Sequence, residues 1–261
     1  MLLNGKIAII YGADGAIGAA SARVFAREGA QVFLAGRNRA RLDVVAAEIA
    51  AADGWADVAE LDCFDAAAVD QHSEMVATKA GRIDIALNAV GFSFDHGVPF
   101  AELTYESFNV PITGYLKTLF VTSKAVAPHM VRQGAGVILS LSAPVAKLSG
   151  SGFLGHGIAS AAVEAFTRIL AGELGASGVR ALCIRPHAIP EDTDTTGAFG
   201  PMAERLGVTV DQLLDGITAA TLLKRLPTLD QVASTAAFLA SDRAGAMTGT
   251  IANLTAGYLV D

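Results

Sequence analysis

The segment Gly12-Ala13-Asp14-Gly15-Ala16-Ile17-Gly18 joins a short apolar run to an amphipathic stretch. Glycines let the backbone turn sharply and approach a ligand closely, and amides at a helix start attract phosphate. Placed between a strand and a helix, such a loop is a cradle for a dinucleotide. Gly12, Asp14, Gly15, Ile17 and Gly18 are its candidate contacts. A second candidate stands at the end of the next apolar run, where Gly36 is followed by Arg37. An acidic residue there would bind a ribose 2′-hydroxyl and repel a 2′-phosphate. A guanidinium can hold that phosphate through two parallel N–H bonds. The pair predicts NADP(H) over NAD(H), with a solvated arginine at a strand end as the alternative; Asp14 opposes NADP(H) by adding negative charge nearby.

These loops need a parallel sheet to hold them. Apolar runs at Lys6–Tyr11, Gln31–Ala35, a third ending near Leu61, Ile83–Leu87, Gly136–Leu141, Val179–Ile184 and Ile251–Leu254 read as strands covered on both faces. Helical stretches separate them: Ala19–Glu28 ending at Gly29, Arg39–Ala52, Ala66–Lys79, a long one to Met130 interrupted around Pro111, Ala159–Leu174, and Asp230–Ala240. Pro186 to Leu226 is the most polar and least regular part, a loop carrying short helices. Seven strands alternating with helices predict an α/β, doubly wound parallel sheet of the Rossmann type. One domain spans 1–261, with 187–226 as the region that covers the substrate.

Hydrophobic residues make up 52% of the 261 and charged residues 17%, against a usual charged share of about 25%. The excess implies a large core and subunit interfaces. A net charge of −7 excludes nucleic acid and anionic membranes as partners. Cys63 and Cys183 are too few for a disulfide framework and too far apart for a metal pair; both read as small core residues, and no metal is expected. No charged-then-apolar leader opens the sequence, and no unbroken apolar stretch nears the roughly 20 residues of a membrane span. A cytoplasmic protein with a small-molecule substrate is the expectation.

Several motifs, in order and over essentially the whole chain, resemble the short-chain dehydrogenase/reductase family. The opening Leu3–Gly12 is similar to the family's. In the glycine pattern Ala16 takes the middle position, with Gly15 before it. Asp62 matches the family's adenine-contacting aspartate, with Cys63 beside it. Asn88-Ala89-Val90-Gly91 resembles the Asn-Asn-Ala-Gly motif, which makes Asn88, Ala89 and Gly91 candidate cofactor contacts, and Leu226–Gly249 resembles the closing helix. The resemblance implies a homodimer through helices around Phe108–Val131 and Ala159–Leu174, or a homotetramer that adds the last helix and strand.

The family works with a tyrosine acid/base, a lysine one turn later, a serine after the fifth strand and an asparagine in the long helix. The motifs put His156 at the tyrosine, Ser160 at the lysine, Ala143 at the serine and Tyr115 at the asparagine. A shift of one residue would restore Ser142 as the serine; no shift restores a Tyr-x-x-x-Lys pair. His187 replaces the family's glycine after Pro186 and is a candidate for the nicotinamide side. Lys147 is close enough in sequence to enter the cleft, or points into solvent. Two readings follow. In one the site is rebuilt, with His156 as acid/base and Tyr115 as donor, for a carbonyl/alcohol oxidoreductase. In the other the chemistry is lost: His156 merely lines a cleft, Tyr115 sits at a subunit contact, and the protein binds nucleotide without turnover. A non-redox lyase or isomerase using His156 as base is a third. Phe92, Phe94, Phe153 and Phe199 suggest an apolar cleft, although each could equally be core.

Overall fold

A computed structural model describes residues 1–92, 96–192 and 199–260. Phe94 lies outside the described residues, as does part of the segment 187–226. Seven parallel strands form one sheet: β1 (Ile7–Tyr11), β2 (Gln31–Gly36), β3 (Trp55–Glu60), β4 (Ile85–Asn88), β5 (Gly136–Leu141), β6 (Val179–Pro186) and β7 (Ile251–Leu254). Their order is β3-β2-β1-β4-β5-β6-β7, the doubly wound arrangement. The chain reverses its direction of winding between β1 and β4, and in such sheets a ligand sits at that switch, beyond the carboxyl ends of the strands. Register brings the ends together: Tyr11 pairs with Ala35 on one side and Asn88 on the other. The glycine loop, Gly36 and the residues after Asn88 therefore emerge at one level.

Helices α1 (Ala16–Arg27), α2 (Arg39–Ala51) and α8 (Leu229–Ala240) cover one face. On the other lie α3 (Ala66–Ala80), α4 (Tyr105–Gln133) and α5 (Leu154–Leu174). Between β6 and α8, the short helices α6 (Gly200–Leu206) and α7 (Val210–Ala220) fill the region expected to be irregular. Each strand of the centre is apolar on both sides, and all of Ile7–Tyr11 is buried.

Three boundaries differ from the sequence reading. Helix α4 runs unbroken through Pro111. Its second turn is held by packing on α5: a β-carbon on Gly155 would stand 2.5 Å from the Phe108 carbonyl oxygen and 3.1 Å from Pro111 Cγ. Such close backbone contact outweighs the hydrogen bond that the proline removes. The same contact explains why α5 begins at Leu154 and not Ala159, despite the poor helix propensity of Gly155 and Gly157. Helix α1 begins at Ala16, three residues earlier than Ala19, so the glycine loop leads directly into its first turn.

Candidate functional site

At the carboxyl ends of the central strands lies one cleft of about 620 Å³. Gly12, Asp14, Gly15 and Ile17 form one end of its wall, with Arg37, Asp62, Cys63, Asn88, Ala89 and Gly91. Tyr115, Ala143, His156 and Ser160 form the other. Every position assigned from the motifs thus faces one space, except Gly18. That glycine lies beneath the loop, where a β-carbon would come within 2.1 Å of the Gly12 carbonyl oxygen; it serves the close packing of α1 on β1.

The dinucleotide end has the form that a phosphate requires. Gly12 has φ +79°, and a β-carbon there would lie 2.6 Å from the Ala89 carbonyl oxygen. Helices α2, α3, α4, α7 and α8 each begin under a capping Asn, Asp or Thr side chain. Helix α1 has Gly15 at its N-cap, with no side-chain cap and no acidic residue in its first turn, leaving its leading amides to an anion. The residues at this end fit a nicotinamide dinucleotide. The Asp14 carboxylate accepts from the amides of Arg37 (3.2 Å) and Asn38 (3.0 Å). Arg41, passed over in the sequence, joins Arg37 on the wall. Cys63 is buried and its thiol is pushed up to about 12 by that burial, which removes it as a nucleophile. The Asn88 side chain donates to Thr122 at 3.0 Å, tying β4 to α4.

At the other end, Tyr115 of α4 and His156 in the first turn of α5 lie with ring centroids 6.1 Å apart and planes 14° apart. Tyr115 therefore faces the cleft. Burial, helped by the Asp192 carboxylate, pushes its phenol up to about 12. Burial, and secondarily His96, pushes His156 down to about 3, so the ring is neutral at ordinary pH. His96, in the loop after β4, was missed: its Nε2 lies 3.0 Å from His156 Nδ1. The signal that could have found it is topological, since loops at the carboxyl ends of strands face the ligand.

Ser142 lines the cleft beside Ala143. Its hydroxyl donates to Glu164 Oε1 at 3.0 Å, and that carboxylate is held by Arg185 through Nε (2.7 Å) and Nη2 (3.0 Å). This ion pair is buried, with Arg185 1% exposed. Lys147 is exposed and stands outside the cleft. His187 lines the cleft against the Tyr258 ring at 4.5 Å; burial pushes it down to about 4. Phe92, Phe153 and Phe199 all line the cleft. Cys63 and Cys183 are free and buried. Among the described residues no helix is long and apolar enough to cross a membrane, and no group of three or more His, Cys, Asp or Glu could hold a metal ion.

Comparison with known proteins agrees with this fold. D-threitol dehydrogenase of Mycolicibacterium smegmatis is 27% identical, over 99% of this chain and 94% of its own. The 3-oxoacyl-[acyl-carrier-protein] reductase FabG of Thermotoga maritima is 28% identical, with 100% of both chains covered. A 7α-hydroxysteroid dehydrogenase solved with NADH and 7-oxo glycochenodeoxycholic acid superposes with a TM-score of 0.85 at 27% identity, covering 98% of this chain and 94% of the other. The sequence model for the family described as enoyl-(acyl carrier protein) reductase matches residues 12–259. The chain belongs to the short-chain dehydrogenase/reductase family.

Proposed function

We propose that this protein is an oxidoreductase that uses NADP(H) on a carbonyl/alcohol substrate, with His156 and Tyr115 in place of the usual catalytic groups. The observation that carries the reading is the meeting of these two rings on one wall of the cleft, across from an uncapped α1. The nicotinamide, when bound, supplies or accepts the hydride. The chain's own part is to bind the substrate oxygen and manage its proton. A neutral imidazole N–H and a phenol O–H can both donate to a carbonyl oxygen and polarise it. In the alcohol direction, a bare imidazole nitrogen accepts the hydroxyl proton.

Support for NADP(H) comes from Arg37 and Arg41 on the wall at the adenosine end. Phe199 and Met202 of α6 and its approach, with Leu213 and Ile217 of α7, close over the cleft, which supports 187–226 as the substrate cover and an apolar substrate. Phe120 of α4 and Ile169 of α5, 53% and 64% exposed, support a homodimer or homotetramer through these helices; sedimentation velocity tests it. A cytoplasmic location completes the proposal, supported by two unpaired cysteines.

The test is titration with NADPH and then NADH by nicotinamide fluorescence, followed by turnover on carbonyl substrates. Micromolar NADPH binding and hydride transfer abolished by His156→Ala are expected; hydride transfer indifferent to that change would overturn the role of His156. One observation favours a second reading, nucleotide binding without redox turnover: neither His156 nor Tyr115 ionises near neutrality. That reading predicts binding with no oxidation of NADPH by any carbonyl.

A further inference from the structure

After β7 the chain closes on itself as a hook over residues 253–259. The Thr255 hydroxyl donates to Asn253 Oδ1 at 2.7 Å and accepts from the Leu259 amide at 3.1 Å. Asn253 Nδ2 donates to the Leu259 carbonyl at 2.9 Å. At the bend Ala256 has φ +54° and Gly257 φ +82°. An alanine holds that left-handed conformation where its surroundings impose it. Here they act from just beyond α7. The Leu223 amide donates to the Ala256 carbonyl at 3.1 Å, and a β-carbon on Gly257 would stand 2.6 Å from Leu222 Cβ.

The hook delivers one ring to the cleft. Tyr258 lines it beside His187, with centroids 4.5 Å and planes 69° apart. His187 is pinned in turn: its Nδ1 accepts from the Ala188 amide at 2.6 Å, and its own amide donates to the Leu254 carbonyl at 3.2 Å. Whereas His187 Nε2 is sealed from solvent without a partner, Tyr258 is half-buried. Its hydroxyl makes no hydrogen bond among the described residues. The wall contributed by the connection from β6 to α8 is apolar at Ile189, Phe199, Met202, Leu213 and Ile217. A polar group set in such a wall fixes the orientation of a ligand. The wall that carries His96 and His156 is held by backbone contact. There the Gly97 amide donates to the Gly152 carbonyl at 2.9 Å, and a β-carbon on Gly152 would come within 2.5 Å of Gly97 Cα. Among the described residues that line the cleft, the only cations are Arg37 and Arg41, beside the glycine loop, and Asp192 is buried in the wall. An anionic substrate would find no counter-charge beside Tyr258.

We propose that the hook is part of the substrate pocket and that Tyr258 determines specificity, its hydroxyl hydrogen-bonding a second oxygen of the substrate. The proposal rests on the oxidoreductase reading, in which the reacting oxygen belongs to His156 and Tyr115. The substrate class is then an uncharged ketone with an apolar body and a further hydroxyl or keto oxygen, or the corresponding diol. The phenol holds that second oxygen and takes no part in hydride or proton transfer.

The test uses the full chain in excess NADPH, with cyclohexanone and 2-, 3- and 4-hydroxycyclohexanone as probes. Tyrosine labelled with ¹³C at Cζ, four residues in all, reports binding by NMR through Tyr115 and Tyr258, and NADPH absorbance reports turnover. At least one hydroxy ketone should bind about tenfold more tightly than cyclohexanone, the worth of one hydrogen bond, and shift the Tyr258 resonance. Tyr258→Phe should bring that preference down to about twofold or less, read through Tyr115, with NADPH binding as the check that the cleft stays formed. Asn253→Ala, which opens the hook, should lower it as well. No preference for any hydroxy ketone, no shift of Tyr258, or a preference that survives Tyr258→Phe overturns the proposal. A preference untouched by Asn253→Ala overturns the part given to the hook. Preferential binding without hydride transfer would sink the oxidoreductase reading and leave the Tyr258 site standing.

Discussion

The Asp14 carboxylate fills the space that a β-carbon on Gly36 would occupy, with Oδ1 only 2.2 Å from that position. A loop acid thus stands at the end of β2, where the sheet itself carries none, on the amides of Arg37 and Asn38. Arg37 and Arg41 attract a 2′-phosphate there and Asp14 repels it. Asp14→Ser should tighten NADPH roughly tenfold, about 1.4 kcal/mol, with little change for NADH. Arg37→Ala should weaken NADPH by at least as much. Fluorescence titration of both variants with both nucleotides checks the balance, and a tighter grip on NADH alone would reverse the assignment.

The floor of the cleft depends on the buried pair Glu164–Arg185. Removing the acid takes away the carboxylate that binds a guanidinium only 1% exposed through two hydrogen bonds. Glu164→Ala should therefore cost about 3–5 kcal/mol of stability by urea unfolding. Replacing both residues by apolar ones of similar volume should cost much less.

Gly18→Ala should be poorly tolerated although the residue touches no ligand. The added carbon would sit 2.1 Å from a backbone oxygen, which cannot swing aside as a side chain would. A loss of about 1–3 kcal/mol or more is expected, with the midpoint of urea unfolding as the readout.

Acid should destabilise the fold through its buried histidines. His156 is held down to about 3, and His72 and His187 to about 4, chiefly by burial. Below the ordinary histidine value near 6.5 the unfolded chain takes up protons that the folded chain refuses. Stability is therefore full above about pH 6.5 and falls as pH drops toward 4, by about 1.4 kcal/mol per pH unit for each histidine. His187→Phe should flatten the slope by one such increment. Turnover, by contrast, should stay level between about pH 6 and 9, because neither His156 nor Tyr115 titrates there.

The strands, the doubly wound sheet and the place of the glycine loop beside Arg37 were legible because each depends on local pattern: continuous apolar runs, glycines at a strand-to-helix turn, Arg37 after β2. Tyr115, Ala143, His156 and Ser160 could be placed because the helices and strands that carry them keep recognisable neighbours. What escaped depends on approach between distant segments. Pro111 stays helical because Gly155 lets α5 come close. His96 comes from a loop with no periodicity, and its partner lies 60 positions away. Glu164 and Arg185 lie 21 positions apart on α5 and β6, and no local pattern pairs them in the interior.

The Gly97–Gly152 contact gives this protein an unusual sensitivity to inheritance. Neither residue carries a functional group, yet one extra methyl at 152 would collide with the backbone of 97 and shift His96 away from His156. A Gly152→Ala allele would pass for a harmless change in a turn while altering the wall of the cleft. Among lineages that retain both histidines, the two glycines should be inherited as a set; where His96 is lost, that restraint should lapse.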